Sequence, residues 1–355
     1  MDTSASEPPT EIGIAHDADV QPWWLYTGTG RRLPLSERDR SWPSPPAWRR
    51  FSGGPDLPPA PADEHIRRVL GDYMEDCTPQ AIDADLVSRV NAALYLRRPL
   101  LVYGEPGVGK TTLAYRIAYE LSLGRVLRWR VTSWTTLAHG LYHQDGIGSP
   151  HAGQPADPPL PPAIVRLGPV GTALLPQLVP RMLLIEDLDR ADSDLPDDLP
   201  ALIDDGEFFI PGLAASRDTE VRVTTADDAV TAVVRGGAVR CHEFPVIVIT
   251  TTGCRDLPAA LVRRCISVRL AAPSTDQLAD ILNAHFPRGD DDVPATVLRS
   301  LLERAASDSH PSVDRLFNAL HLVRSGILPV RGISGPEAHE RAMDAVWRWA
   351  AVEEP

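Results

Sequence analysis

The stretch Gly104-Glu105-Pro106-Gly107-Val108-Gly109-Lys110-Thr111 decides how the rest of the chain is read. It fits the pattern G-x-x-x-x-G-K-[ST], in which glycines let a loop curl until successive backbone N–H groups point at phosphate oxygens. Lys110 adds a point charge for the outer phosphates, and the Thr111 hydroxyl suits a magnesium ion. A chance glycine-rich turn of this form arises in roughly one chain in a hundred of this length, and the flanks lower that. Leu100-Leu101-Val102-Tyr103 is a short apolar run of the buried-strand type, and residues 109–122 carry Leu113, Ile117, Ala118 and Leu121 on one helical face. Strand, loop and helix thus stand in the order that aims a helix N-terminus at a phosphate.

The 355 residues suffice for two domains or one large domain with extensions. A formal net charge of −13 argues against a general polyanion binder. Cys77, Cys241, Cys254 and Cys265 are scattered without paired spacing, which suits a reducing cytoplasm better than a disulfide framework or a zinc site. No apolar run approaches a membrane span and the acidic N-terminus does not read as a signal peptide, so the expectation is a soluble, cytoplasmic protein.

Residues 1–62 are proline-rich yet hold Trp23, Trp24, Trp42 and Trp48, too many aromatics for a disordered tail. They read as an extended arm that docks its tryptophans on a folded body, its own or a neighbour's. Tyr26-Thr27-Gly28-Thr29-Gly30 reads as a turn, because no third glycine or helix follows. Two helical stretches lie between Asp63 and Arg98, and Val126–Val131 alternates like a strand. His143 and His151 lack the spacing of metal ligands and read as solvated loop histidines.

Met182-Leu183-Leu184-Ile185 is a second buried-strand run ending in Glu186-Asp187-Leu188-Asp189. Carboxylates at a strand tip beside a phosphate loop are what a magnesium-nucleotide enzyme uses, one for the metal and the next for the attacking water. Val246–Ile249 is a third run, ending in Thr250-Thr251-Thr252, where a hydroxyl could meet the terminal phosphate or its water. Ile266–Leu270 is a candidate strand preceded by Arg263-Arg264. Strands alternating with helices imply a parallel α/β sheet covered on both faces. Four amphipathic helices follow; the first opens on a Ser274-x-x-Gln277 capping box, and the others centre on Leu298, Phe317 and Val346.

In this order, the phosphate loop, acidic strand, polar strand, paired arginine and helical tail resemble an AAA+ ATPase, and the wording is similar to the MoxR branch. Arg97–Val102, Leu167–Thr172, Asp189–Asp192, Gly206–Pro211 and Leu261–Cys265 carry that likeness over residues 63–325. The resemblance implies a P-loop NTPase (AAA+) parallel sheet sandwiched by helices over 63–271, then a small all-helical lid over 272–355. It also implies ATP and Mg2+, with Gly104, Glu105, Pro106, Gly107, Val108, Gly109, Lys110, Thr111 and Thr112 as the phosphate site and Thr111 with Glu186 at the metal. Asp187 would polarise water and Thr252 would sense phosphate. Arg264, ahead of Arg263, would be a finger reaching a neighbour's nucleotide in a ring such as a hexamer. Arg315 lies near where such proteins carry a second phosphate-sensing arginine. The implied partner is a protein client, such as one with a von Willebrand A domain.

Two departures matter. The family's second strand ends Asp-Glu, whereas here it ends Glu186-Asp187, and the usual asparagine of the third strand is Thr252. Each carboxylate moves by about one methylene, and a displacement of order 1 Å can cost about a hundredfold in rate. Binding should survive while hydrolysis slows. Two classes therefore stand: an ATPase that remodels a partner, and a nucleotide-gated scaffold in a signalling or defence complex with little turnover. A nucleic-acid motor or a small-molecule kinase shares the loop but fits the acidic charge or the helical tail less well.

Overall fold

The computed structural model describes residues 21–54, 57–71, 83–145, 164–213, 220–227, 230–286, 293–307, 313–325 and 336–350. Cys77 and His151 lie outside them. Among the described residues eleven strands follow in chain order: β1 (Leu100–Tyr103), β2 (Leu127–Arg130), β3 (Tyr142–Asp145), β4 (Ile164–Leu167), β5 (Met182–Glu186), β6 (Glu207–Phe209), β7 (Glu220–Thr224), β8 (Thr231–Arg235), β9 (Ala238–Arg240), β10 (Val246–Thr251) and β11 (Ile266–Arg269).

The central sheet has the order β11-β1-β10-β5-β2, and every pair in it is parallel. Parallel sheets need both faces covered, and the strand sequences show why this one is. Leu100, Val102, Met182, Leu184, Val248 and Val268 join one buried cluster, with Leu113, Ala114 and Ile117 of the Lys110–Glu120 helix and Leu121 just after it. Leu101, Leu127, Trp129, Leu183, Ile185, Ile247 and Ile249 join the other. Alternation along each strand sends neighbours to opposite faces. Fully burying one such aliphatic side chain is worth about 1.5–3 kcal/mol, so the two clusters hold the sheet.

A second sheet, ordered β3-β4-β7-β8-β9-β6, was not expected from the sequence. Val165, Leu167, Val223, Ala232, Val234 and Val239 carry it into the cluster of Leu183 and Ile185. Arg181, at the mouth of β5, fixes the turn between β7 and β8, giving Asp227 two hydrogen bonds of 2.7 and 2.9 Å with both side chains 2% exposed. The Leu167–Thr172 stretch has its own reason. A Cβ on Gly171 would lie 2.0 Å from the Leu141 carbonyl oxygen, so only glycine lets the Pro169–Ala173 helix meet the Leu137–Leu141 helix so closely.

After β11 come the helices Thr275–His285, Ala295–Ser307, Val313–Arg324 and Pro336–Ala350. Leu278, Leu301, Leu316, Leu320, Met343 and Val346 form a separate apolar cluster among them. The expected capping box is present: Ser274 Oγ accepts from Gln277 N at 3.3 Å, and Gln277 Oε1 accepts from Ser274 N at 2.9 Å. The fold is therefore the expected α/β one, a phosphate-loop parallel sheet between helices with a helical region after it.

The arm docks on its own body. Trp24 and Tyr26 are buried in the cluster of the Lys110–Glu120 helix, and Trp42 packs against it. Trp48 stays 76% exposed, so docking does not extend to every tryptophan. Asn91 Oδ1 accepts from the backbone of Leu25 and Tyr26 at 2.8 and 3.0 Å. The turn at Thr27–Gly30 closes on a buried carboxylate. Glu120 accepts from the Thr27 amide, from the Thr27 hydroxyl at 2.8 Å, and from the amides of Gly28 and Gly30 at 3.1 Å each.

Candidate functional site

Because the central strands run parallel, their C-terminal ends lie along one edge, with β10 between β1 and β5. In register, Tyr103 faces Thr251 and Ile249 faces Ile185. The loop after β1, the acids after β5 and Thr252 after β10 must therefore meet at that edge, the crevice where ligands bind in open α/β sheets.

The loop is built as its glycines suggest. Gly109 has φ 93°, a left-handed conformation, and is the N-terminal cap of the Lys110–Glu120 helix. The helix thus starts at Lys110 with its positive end in the loop. Lys110 Nζ folds back into this cup, donating to the Gly104 and Glu105 carbonyls at 2.7 and 2.9 Å. Burial lowers its pKa, against the opposing pull of Asp187, Asp189 and Glu105. Those carboxylates are therefore the near neighbours of the ammonium.

The joint between loop and sheet is direct. Thr111 Oγ1 donates to Glu186 Oε1 at 2.7 Å. The other Glu186 oxygen accepts from Arg128 Nε, with Arg130 Nε 3.7 Å from it. Thr112 follows on the same helix, half-buried. Asp187 takes φ 55°, a left-handed conformation that Asp tolerates better than most residues, and its N–H donates to Thr250 Oγ1 at 3.0 Å. Its carboxylate lies 3.7 Å from Arg190.

Thr252 does not stand alone. Its hydroxyl donates to Asp189 Oδ2 at 2.7 Å, and the same oxygen accepts from the backbone of Thr252, Gly253 and Cys254 and from the Cys254 thiol. Burial would push the Asp189 carboxyl up, but hydrogen bonds led by those of Thr252 and Cys254 win and hold it at about 2. Asp189 is thus a fixed anion that shapes the loop after β10. Its other oxygen is buried with no protein partner among the described residues.

Arg264 and Arg315 are engaged with other partners. Arg264 makes a two-pronged contact with Asp204, Nε to Oδ2 at 2.8 Å and Nη2 to Oδ2 at 2.5 Å, while the Arg263 side chain is exposed. Arg315 spends its guanidinium on the last helix, donating to the Trp347 carbonyl at 3.1 Å with Cζ 4.6 Å from the Trp347 ring centre. In this conformation it packs the helical region.

Sequence reasoning singled out Lys110, Thr111, Glu186, Asp187 and Thr252 but not Arg128, Arg130 or the anchoring by Asp189. Strict alternation in Leu127-Arg128-Trp129-Arg130 was the available signal, since it sends both arginines to one face.

Two hard oxygens, Thr111 Oγ1 and a Glu186 carboxylate oxygen, stand side by side. Such a pair fits magnesium, which takes one or two protein oxygens and completes its shell with water and phosphate. Among the described residues no group of three or more His, Cys, Asp and Glu gathers, so no all-protein metal cage competes with that reading. No helix among them is long and apolar enough to cross a membrane.

The chain matches no protein-family model. No curated protein is significantly similar to it. Solved structures are similar in part. One of Thermotoga maritima RuvB, described as a Holliday junction branch migration motor, is 16% identical over 74% of this chain and 67% of that one, with a TM-score of 0.40. A point mutant of the same RuvB is 15% identical over 74% and 69%, with a TM-score of 0.42.

Proposed function

We propose that this chain is an AAA+ ATPase of MoxR type, which binds Mg-ATP at the loop Gly104–Thr112 and couples hydrolysis to remodelling of a partner protein. The observation that carries the reading is the 2.7 Å contact between Thr111 and Glu186, which joins the phosphate loop to the acidic strand tip. The loop amides and the helix N-terminus bind the phosphates, and Lys110 Nζ exchanges its two carbonyl partners for phosphate oxygens. Thr111 and Glu186 would hold the magnesium, whose charge would neutralise the phosphates. Asp187 orients a water and takes its proton as the water oxygen attacks the terminal phosphorus. The bond to the bridging oxygen breaks, leaving ADP and phosphate. Thr252, its proton committed to Asp189, offers the water an acceptor oxygen. Arg264 of a neighbouring copy stabilises the charge on the transferred group, and the helical region closes over the nucleotide as a lid.

Steady-state hydrolysis by the purified protein tests this reading. Turnover that falls about a hundredfold or more in Asp187→Ala with nucleotide binding kept supports it, on the scale of lost general acid–base catalysis. Binding without turnover in the wild type favours the scaffold instead. Two observations lean that way: Glu186 is already paired with Arg128, and Arg264 with Asp204.

A further inference from the structure

The tip of β2 brings two guanidiniums to the carboxylate expected to serve the metal. Arg128 and Arg130 are two residues apart and share the face turned to the Lys110–Glu120 helix, since Leu127 and Trp129 fill the opposite cluster. Arg128 donates to one oxygen of Glu186 while Thr111 donates to the other. The Glu186 side chain is only 5% exposed, so its charge is met by arginine and not by water. A magnesium ion beside Thr111 calls on the same carboxylate, and a divalent cation is strongly repelled by a guanidinium at hydrogen-bond range.

We propose that Arg128 and magnesium are alternative partners of Glu186, so that Arg128 sets how far nucleotide binding depends on a divalent cation. This deepens the nucleotide-site reading and rests on it. Without metal, Arg128 keeps a buried carboxylate from repelling the phosphates. With metal, Glu186 turns to the ion and Arg128 is released to solvent, adding nothing to the phosphates. Arg130, nearer solvent, supplies a weaker second charge.

The test is the affinity for fluorescently labelled ADP, measured in excess magnesium and in excess EDTA. The wild type is expected to weaken by less than about threefold on removing magnesium, and Arg128→Gln by about tenfold or more, the scale of one charge-assisted contact. In magnesium the two should bind alike. Arg128→Lys keeps the charge and should fall between them, which carries the comparison if Arg128→Gln melts at a lower temperature or fails to fold. A wild type that itself loses ADP tenfold in EDTA overturns the proposal without any variant, as does equal EDTA sensitivity in wild type and Arg128→Gln. No binding by the wild type in either condition overturns the nucleotide site, and this inference with it.

Discussion

The Thr252 hydroxyl sits 2.7 Å from Asp189 Oδ2, donating to an oxygen that also accepts three successive backbone amides. Thr252 is therefore positioned by Asp189, two residues after Asp187. This predicts a stability effect with a defined sign. A carboxyl held at about 2, against an ordinary 3.8, is bound in its ionised form by the fold. Its stabilisation is in place above pH 3.8 and is lost as pH falls through about 2. Asp189→Asn should cost on the order of 2 kcal/mol at pH 7 by urea unfolding, and the gap to wild type should close near pH 2.

Glu120 anchors the arm through its contacts with the Thr27–Gly30 turn. Replacing it by alanine leaves those amides without their acceptor, at a cost of about 1–3 kcal/mol. Limited proteolysis should then cut between residues 21 and 34 much faster than in wild type. Equal cutting rates would mean that Trp24, Tyr26 and Asn91 hold the arm unaided.

Arg181 and Asp227 form a buried pair between the central sheet and the β7–β8 turn. Arg181→Leu leaves the buried Asp227 charge with only the Arg125 guanidinium, 4.0 Å away, and a loss of up to about 3–5 kcal/mol is expected in chemical unfolding. The double change Arg181→Leu with Asp227→Leu should recover much of it. Failure to recover would show that the pair's other hydrogen bond, to the Arg125 carbonyl, matters more than the charge.

Arg264 cannot serve its own site while bound to Asp204. If it acts across subunits, Lys110→Ala and Arg264→Ala should each be inactive alone, and a mixture should regain turnover. Mixtures as inactive as the separate variants would remove the trans finger from the account.

The central sheet was legible because each of its strands is an apolar or alternating run next to a turn or charge signal, from Leu100–Tyr103 to Val246–Ile249. The second sheet was not. Its strands are three to five residues long, and β4 finds β7 while β6 finds β9 only through pairings distant in sequence. The tail helices announced themselves by period and cap. At the site, residue types placed Lys110, Thr111, Glu186 and Thr252 at one edge once the strands were parallel. Alternation gave Arg128 a face but not what that face meets, and nothing local told that Asp189 would gather the loop after β10.

The most direct test is equilibrium titration with ATP of the wild type and Lys110→Ala. Binding by the wild type and a loss of roughly ten- to a hundredfold in the variant are expected, the worth of a charged hydrogen bond to phosphate. Equal affinity in the two proteins would contradict the proposed nucleotide site.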